Sequence, residues 1–285
     1  MNPPGPDTGG LSVWPAPAKL NLFLRIIGRR SDGYHELQTA FQLIDLCDEI
    51  SIRVRPDGRI CRPRGLKGLP EDQDLVVRAA RLLQEETGSG LGADLMVDKR
   101  IPAGGGLGGG SSDAATVLTA LNKLWGTALT QAELARLGGR LGADVPVFVA
   151  GESAWAEGVG DRLTPIEFPR CWYLVIHPGI AVPTAEIFSA PELTRNSPPI
   201  KIASFLSHGD RNDCVSVVRG KYAEVGLALD WLGQFGDARL TGTGACVFSD
   251  FETRDEAGRA LGQLPAQWRG FVVRGLNRSP LLQMG

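Results

Sequence analysis

From Gly104 to Gly110 the chain reads Gly-Gly-Gly-Leu-Gly-Gly-Gly, and it runs straight into Ser111 and Ser112. Backbone without side chains lets successive N–H groups close around an oxygen-rich ligand. A helix opening at the serines adds unpaired donors and the positive end of a dipole. The chemistry this favours is the holding of an anion, above all a phosphate, with the Ser111 and Ser112 hydroxyls as further donors or contacts to a metal. Gly-Lys-Ser/Thr is absent at the helix entrance, which excludes a P-loop. Gly104 to Gly109 matches G-x-G-x-x-G only because glycine fills nearly every position. A second helix follows where a dinucleotide fold needs a strand ending in an acid, and Glu133 belongs to a capping box, so the sequence argues against that fold.

Two charged residues suit chemistry beside such a site. Asp144, in Leu141-Gly142-Ala143-Asp144-Val145-Pro146, reads either as a helix N-cap or as a general base toward an alcohol, and the two roles are compatible. Lys19 is a lone cation in an apolar strand-like stretch, where alternation puts it on the same face as Asn21. An ammonium there needs an acid partner to offset its desolvation, and Asp144 is the candidate. Asp32-Gly33-Tyr34-His35 reads as a turn followed by two groups suited to stacking on a ring and hydrogen bonding to it, or as a turn and core packing. His177 and His208 are expected in loops, and Cys246 as a packed small residue.

The elements that must position these groups can be read from periodicity. Strand character runs over Trp14–Ile27, His35–Val54 and Ala93–Lys99. Asp74 caps a helix in which Leu75, Ala79, Leu82 and Leu83 share a face. Ser111 or Ser112 caps the next, over Ser111–Trp125, with Ala114, Val117, Leu118, Leu121 and Trp125 as its apolar stripe. Thr130 to Glu133 opens a third, ending near Gly142. The pattern lapses over Gly158–Pro169, and the division falls there: a flexible tail over 1–13, an N-terminal domain over 14–160 and a C-terminal domain over 161–285. The second half alternates a strand (Trp172–His177), a helix (Pro183–Ser189), a proline-rich loop (Pro191–Pro199) and a helix (Lys221–Phe235). Strand-like Arg239–Phe251 follows, interrupted by Thr241-Gly242-Thr243-Gly244, then a helix (Arg254–Leu264) and a strand (Gly270–Val273). This pattern indicates an α+β protein of two layered halves.

Composition bounds the rest. With 285 residues the chain has ample length for a buried core, and its formal net charge of −2 gives no reason to expect nucleic acid or an anionic membrane as partner. Five scattered cysteines without Cys-x-x-Cys, and only three histidines, argue against a zinc cluster and for a reduced, cytoplasmic setting. The first residues lack the basic and apolar regions of a secretion signal.

Four blocks together resemble the GHMP small-molecule kinase superfamily: Pro15–Leu24 with Asp32–His35, Pro102–Ala115, Leu141–Phe148 and Leu240–Phe248. The second block alone indicates the superfamily. The first and third point to its branch acting on a cytidine-diphosphate-linked methylerythritol in isoprenoid precursor synthesis. The resemblance implies a ribosomal-protein-S5-like N-terminal domain and a ferredoxin-like C-terminal domain, with the active site between them. It implies transfer of the ATP γ-phosphoryl group to a substrate 2-hydroxyl, with Mg²⁺ present, by a monomer or homodimer.

By that resemblance Asp144 is the base, Lys19 its charge partner, and Asn21 lies near the acceptor. His35 would hydrogen-bond the cytosine while Tyr34 and Phe188 stack on it. Thr184, Gly242, Thr243 and Gly244 would face the substrate diphosphate. Pro102, Gly104, Gly105, Gly106, Leu107, Gly108, Gly109, Gly110, Ser111 and Ser112 would cradle the ATP phosphates, with Lys99 and Leu75 near the adenosine. Asp74 and Asp113 depart from the asparagine frequent in the family, and a carboxylate at Asp113 would repel phosphate unless it faces away or helps hold the metal. The alternatives are another GHMP kinase, acting on homoserine, mevalonate or a sugar, and a nucleotide-binding regulator without activity. The Tyr34-His35 pair argues against the first, and the presence of both Lys19 and Asp144 against the second.

Overall fold

The computed structural model describes residues 10–64 and 69–284. Strands β1 (Ser12–Arg29) and β2 (His35–Arg55) form one long antiparallel hairpin closed by the turn at Asp32 and Gly33. Every residue from Ala16 to Leu24 is buried, so β1 is covered on both faces. Further along β2, Asp48, Ile50, Ile52 and Val54 alternate inward. Strand β4 (Gly92–Asp98) pairs with β2, and β3 (Ile60–Arg64) lies parallel to β4 on its outer side. Helices α1 (Leu75–Thr87) and α2 (Gly109–Leu124) cover these strands, with α3 (Gln131–Gly139) and α4 (Val145–Ala150) beyond them. The expected α2 stripe is intact: Ala114, Val117, Leu118 and Leu121 are fully buried. Asp74 caps α1 as expected, its Oδ1 accepting from the Val76 amide at 3.0 Å.

A hairpin of β5 (Ala154–Glu157) and β6 (Arg162–Pro165) joins the sheet through β2. The division expected between residues 160 and 161 runs through the turn of this hairpin. The tail expected over 1–13 extends beyond the described residues at its start, while Ser12 and Val13 already pair with Ile52 and Ser51.

The second half is built on β7 (Trp172–His177), β8 (Arg239–Leu240), β9 (Val247–Phe251) and β10 (Arg269–Leu276). Helices α5 (Thr184–Ser189), α6 (Ile202–His208), α7 (Val215–Lys221), α8 (Ala223–Leu232) and α9 (Arg254–Leu261) complete it. The helix expected over Lys221–Phe235 is α8, shorter at both ends, because Lys221 closes α7 and the backbone turns at Tyr222 to φ −129° and ψ 87°. His177 ends β7 and His208 ends α6, so neither is a loop residue.

The two halves share one sheet, because Gly275 and Leu276 of β10 pair with Ile44 and Leu43 of β2. A third apolar cluster fills the seam, with Leu20, Phe23 and Leu107 from the first half against Tyr173, Val175 and Phe248 from the second.

Two polar features at α2 differ from the sequence expectation. The cap is Gly108, in the left-handed region at φ 72°, and the helix already begins at Gly109. Ser112 therefore sits in the first full turn, wholly buried, where its hydroxyl donates to the Pro17 carbonyl at 2.6 Å and ties α2 to β1. One residue on, Asp113 accepts from Lys99 at 2.7 Å, and Lys99 also pairs with the fully buried Asp48. Asp48 further accepts the Arg100 and Ile101 amides at 2.6 and 2.8 Å. One ammonium thus serves two carboxylates. Burial pushes the Asp113 carboxyl up to about 7, the nearby Lys99 charge opposing this and the Asp48 charge adding to it.

Ser112→Ala is expected to destabilise the fold by about 1–3 kcal/mol in urea unfolding, because the Pro17 carbonyl loses its donor in a dry site. Folding also raises the Asp113 pKa above its ordinary value, so the stability this group contributes is complete below about pH 4. It is lost as the pH rises through about 7. Without nucleotide or metal, unfolding free energy should therefore fall across that window, by at most about 1.4 kcal/mol per pH unit from this group. Asp113→Asn should flatten the slope; equal slopes in the two proteins would refute the assignment.

Candidate active site

Lys19 is the residue around which the site is organised. Its side chain is only 3% exposed, in a strand otherwise packed with aliphatic groups. An ammonium has three N–H donors; two are hydrogen-bonded here, and a carboxylate stands within ion-pair distance. Asn21 Oδ1 lies at 2.5 Å, the Gly106 carbonyl at 2.8 Å and Asp144 Oδ2 at 3.4 Å. Asn21 is held in turn, its amide donating to Thr39 Oγ1 at 2.9 Å and its backbone N–H to Thr241 Oγ1 at 3.0 Å. Register shifts flank Lys19 and Asn21 in β1, and the bent strand turns both toward the glycine loop.

Asp144 precedes α4 but makes no capping hydrogen bond. Its carboxylate is therefore not spent on the helix cap and instead pairs with the Lys19 ammonium. It is also 35% exposed, so it faces both the buried cation and open space. A carboxylate so placed can take a proton from a bound hydroxyl while the ammonium holds its orientation.

The glycines of the loop have two separate uses. The first part is stitched to the second half of the chain: the Ala245 and Cys246 amides donate to the Gly104 and Gly105 carbonyls, both at 3.1 Å. At Gly106, with φ 73°, a Cβ would stand 2.2 Å from the Thr241 carbonyl, so no other residue fits. Gly108 is closed in by the Phe148 ring and by the Lys19 stem running beneath it. The second part opens α2. There the N–H groups of Gly109, Gly110 and Ser111 have no acceptor within the helix, which is the anion-binding feature the sequence suggested.

A cleft of about 1060 Å³ runs over the seam and joins these groups. It is lined by Lys19, Asn21, Tyr34, His35, Leu75, Lys99, Pro102, Asp144, Thr184, Phe188, Gly242 and Thr243, and by the loop from Gly104 to Ser111. Two expected residues are absent from its walls. Ser112 is spent on Pro17, and Gly244 is buried behind the turn, facing Leu240, Val182 and Val218. Lys99 reaches the cleft with its charge already balanced by Asp48 and Asp113, which answers the repulsion that Asp113 would otherwise exert. Leu75, at the start of α1, stands beside Gly110 at the start of α2.

At the far end, His35 stacks on Phe188, with ring centroids 5.0 Å apart and planes at 24°. Tyr34 is 63% exposed. One face of the Phe188 ring is thus against the imidazole, and Phe188, His35 and Tyr34 all line this end of the cleft. Thr184 and Thr243 share a hydrogen bond at 3.0 Å across the two segments of this wall.

Several supporting residues escaped the sequence reading. Asp48 had a signal, since it shares the inward parity of Ile50, Ile52 and Val54. Asn212 had none: it donates to the Leu240 and Gly242 carbonyls at 2.9 and 2.7 Å and so shapes the Thr241–Gly244 turn. Arg195, which donates to His35 at 3.1 Å, lies 160 residues away in sequence. Among the described residues no cluster of three or more His, Cys, Asp or Glu side chains could hold a metal ion. Among the described residues, no helix is long and apolar enough to cross a membrane.

Comparison with known proteins agrees with this geometry. The family model for the GHMP kinases N terminal domain matches residues 74–152, and that for the GHMP kinases C terminal domain matches residues 196–270. A protein of Alkalilimnicola ehrlichii called 4-diphosphocytidyl-2-C-methyl-D-erythritol kinase is 62% identical over 94% of this chain and 92% of its own length. One of the same name from Thiobacillus denitrificans is 59% identical over 94% and 97%. A crystal structure of 4-(cytidine 5'-diphospho)-2C-methyl-D-erythritol kinase superposes with a TM-score of 0.79 at 34% identity, covering 93% of this chain and 99% of that one. Mevalonate kinase of Methanococcus jannaschii, at 17% identity and a TM-score of 0.67, shares the fold. With its α+β halves, its glycine-opened helix and relatives aligned over nearly their whole length, the chain belongs to the GHMP kinase family.

Proposed function

We propose that this kinase transfers the γ-phosphoryl group of ATP to the 2-hydroxyl of 4-diphosphocytidyl-2-C-methyl-D-erythritol, in the non-mevalonate route to isoprenoid precursors. The observation that carries the reading is the Lys19–Asp144 pair. It lies in one cleft with the glycine-opened start of α2 and with the Tyr34, His35 and Phe188 end. In this reading the triphosphate rests on the N–H groups of Gly109, Gly110 and Ser111, and the adenosine extends toward Leu75. The cytidine lies at Tyr34 and His35, and its diphosphate passes Thr184, Gly242 and Thr243. The 2-hydroxyl then comes to Asp144.

Asp144 accepts the hydroxyl proton as the oxygen forms its new bond to the γ-phosphorus. The bond from that phosphorus to the β,γ-bridging oxygen breaks, and ADP leaves with the electron pair. Lys19 keeps Asp144 oriented and spreads positive charge beneath the transferring group. Asn21 and Gly106 hold Lys19 in place, so the ammonium does not have to reorganise during the step.

Mg²⁺ belongs to the same reading. The donor set suits an ion that keeps few protein ligands and is held largely by substrate phosphates, and no protein cage is present among the described residues. Ser111, which lines the cleft at the helix start, would supply the protein ligand. The ion would neutralise charge on the phosphate oxygens. A reducing cytoplasmic setting is supported by five cysteines, none of them paired.

Asp144→Asn is expected to leave ATP binding within about twofold while lowering turnover by about 10²–10⁴-fold, the range for removing a general base. ADP release with the cytidine-linked substrate, and calorimetry with ATP, would measure the two. Undiminished turnover removes Asp144 as base. Wild-type turnover on mevalonate or homoserine, with none on the cytidine-linked alcohol, would favour the other members of the family.

A further inference from the structure

Behind the aromatic end of the cleft, Arg195 is clamped by four acceptors. Its Nη groups donate to the carbonyls of Leu193 at 3.0 Å, Phe188 at 2.9 Å and Ala190 at 2.7 Å. Its Nε–H points at His35 Nε2, 3.1 Å away. A guanidinium can only donate, so Nε2 must accept. A neutral imidazole accepting at Nε2 carries its proton on Nδ1. Among the described residues Nδ1 has no partner, and His35 lines the cleft.

We propose that Arg195 is a positioning residue which locks His35 in the Nδ1–H tautomer, so that the ring offers one fixed donor to the acceptor edge of a cytosine and selects it over uracil. The identity of the base rests on the substrate reading above, and the lock on geometry alone.

The chemistry of the two pyrimidines makes the lock selective. Cytosine carries an acceptor at N3, where uracil carries an N–H. A free histidine can exchange its ring proton between nitrogens and suit either edge; one held by Arg195 cannot. The surroundings agree. Burial and the positive charges of Arg195 and of Arg29, the latter paired across the hairpin with His35, keep the imidazole pKa below its ordinary value. Phe188 stacks on the ring face and fixes its plane, while its own carbonyl is held by the same guanidinium.

The test begins without substrate. In protein labelled with ¹⁵N-histidine at pH 8, the three histidine signals are assigned by a His35→Gln variant. Wild-type His35 should show a protonated Nδ1 and a bare Nε2. Arg195→Met should move it toward the Nε2–H form, and Arg195→Lys, which retains a donor and can still reach the loop carbonyls, should restore it. A wild-type ring protonated at Nε2, or a tautomer indifferent to Arg195→Met, overturns the lock.

Kinetics then tests selectivity. Arg195→Met should raise KM for the cytidine-linked alcohol about tenfold and narrow its preference over the uridine analogue. Both kcat and KM for ATP should stay within about twofold. Tautomer loss with unchanged base preference overturns the selectivity. Wild-type failure to phosphorylate the cytidine-linked alcohol, with the tautomer responding as stated, would instead count against the substrate reading and leave the lock intact.

Discussion

A single buried ammonium imposes the order seen at this site. Lys19 lies where an unpaired charge would cost several kcal/mol in desolvation. Its three oxygens come from β1 itself, from the glycine loop and from the turn before α4. Satisfying one cation therefore fixes three chain segments against one another. The Asp144 carboxylate is left half in and half out of the packed seam, and it gains its position from this arrangement instead of from a helix cap.

The glycine loop serves the same constraint. For its carbonyl at Gly106 to reach Lys19, the loop must press against the Thr241 backbone, and only a residue without a side chain can approach so closely. The Thr241 hydroxyl also touches Gly106, and the turn it begins is held from behind by Asn212. The later glycines are left for a different use, since a helix opens there with its first amides unpaired. One run of sequence thus does two jobs, joining the halves with its carbonyls and facing an anion with its amides.

Charge is distributed unevenly along the cleft. Lys99 is paired with two carboxylates, leaving Lys19 and the helix opening as the positive features of the glycine-loop end. The opposite end offers shape and hydrogen-bond direction in place of charge, in a stacked histidine with one ring nitrogen held by Arg195. Phosphoryl transfer needs placement and diffuse charge more than strong acids or bases, and the two ends divide those needs.

What could be read along the chain was whatever local rules govern. The amphipathic helices, the Asp74 and Thr130 caps, the loop-to-helix phosphate feature and the shared face of Lys19 and Asn21 all follow from periods of 3.6 or 2 and from backbone sterics. The motif blocks carried the family, and with it most of the cleft lining. The helix start was misplaced by a few residues because Gly108 can cap in a left-handed conformation without side-chain help. Ser112 was misassigned because its neighbour, Pro17, lies 95 residues away. Asn212, Arg195 and the Asp48–Lys99–Asp113 cluster belong to the same class. Their partners are distant in sequence, and a hydrogen bond across a packed seam leaves no period or spacing behind it. Local preference decided which elements form; only their packing decided which polar group each buried charge would meet.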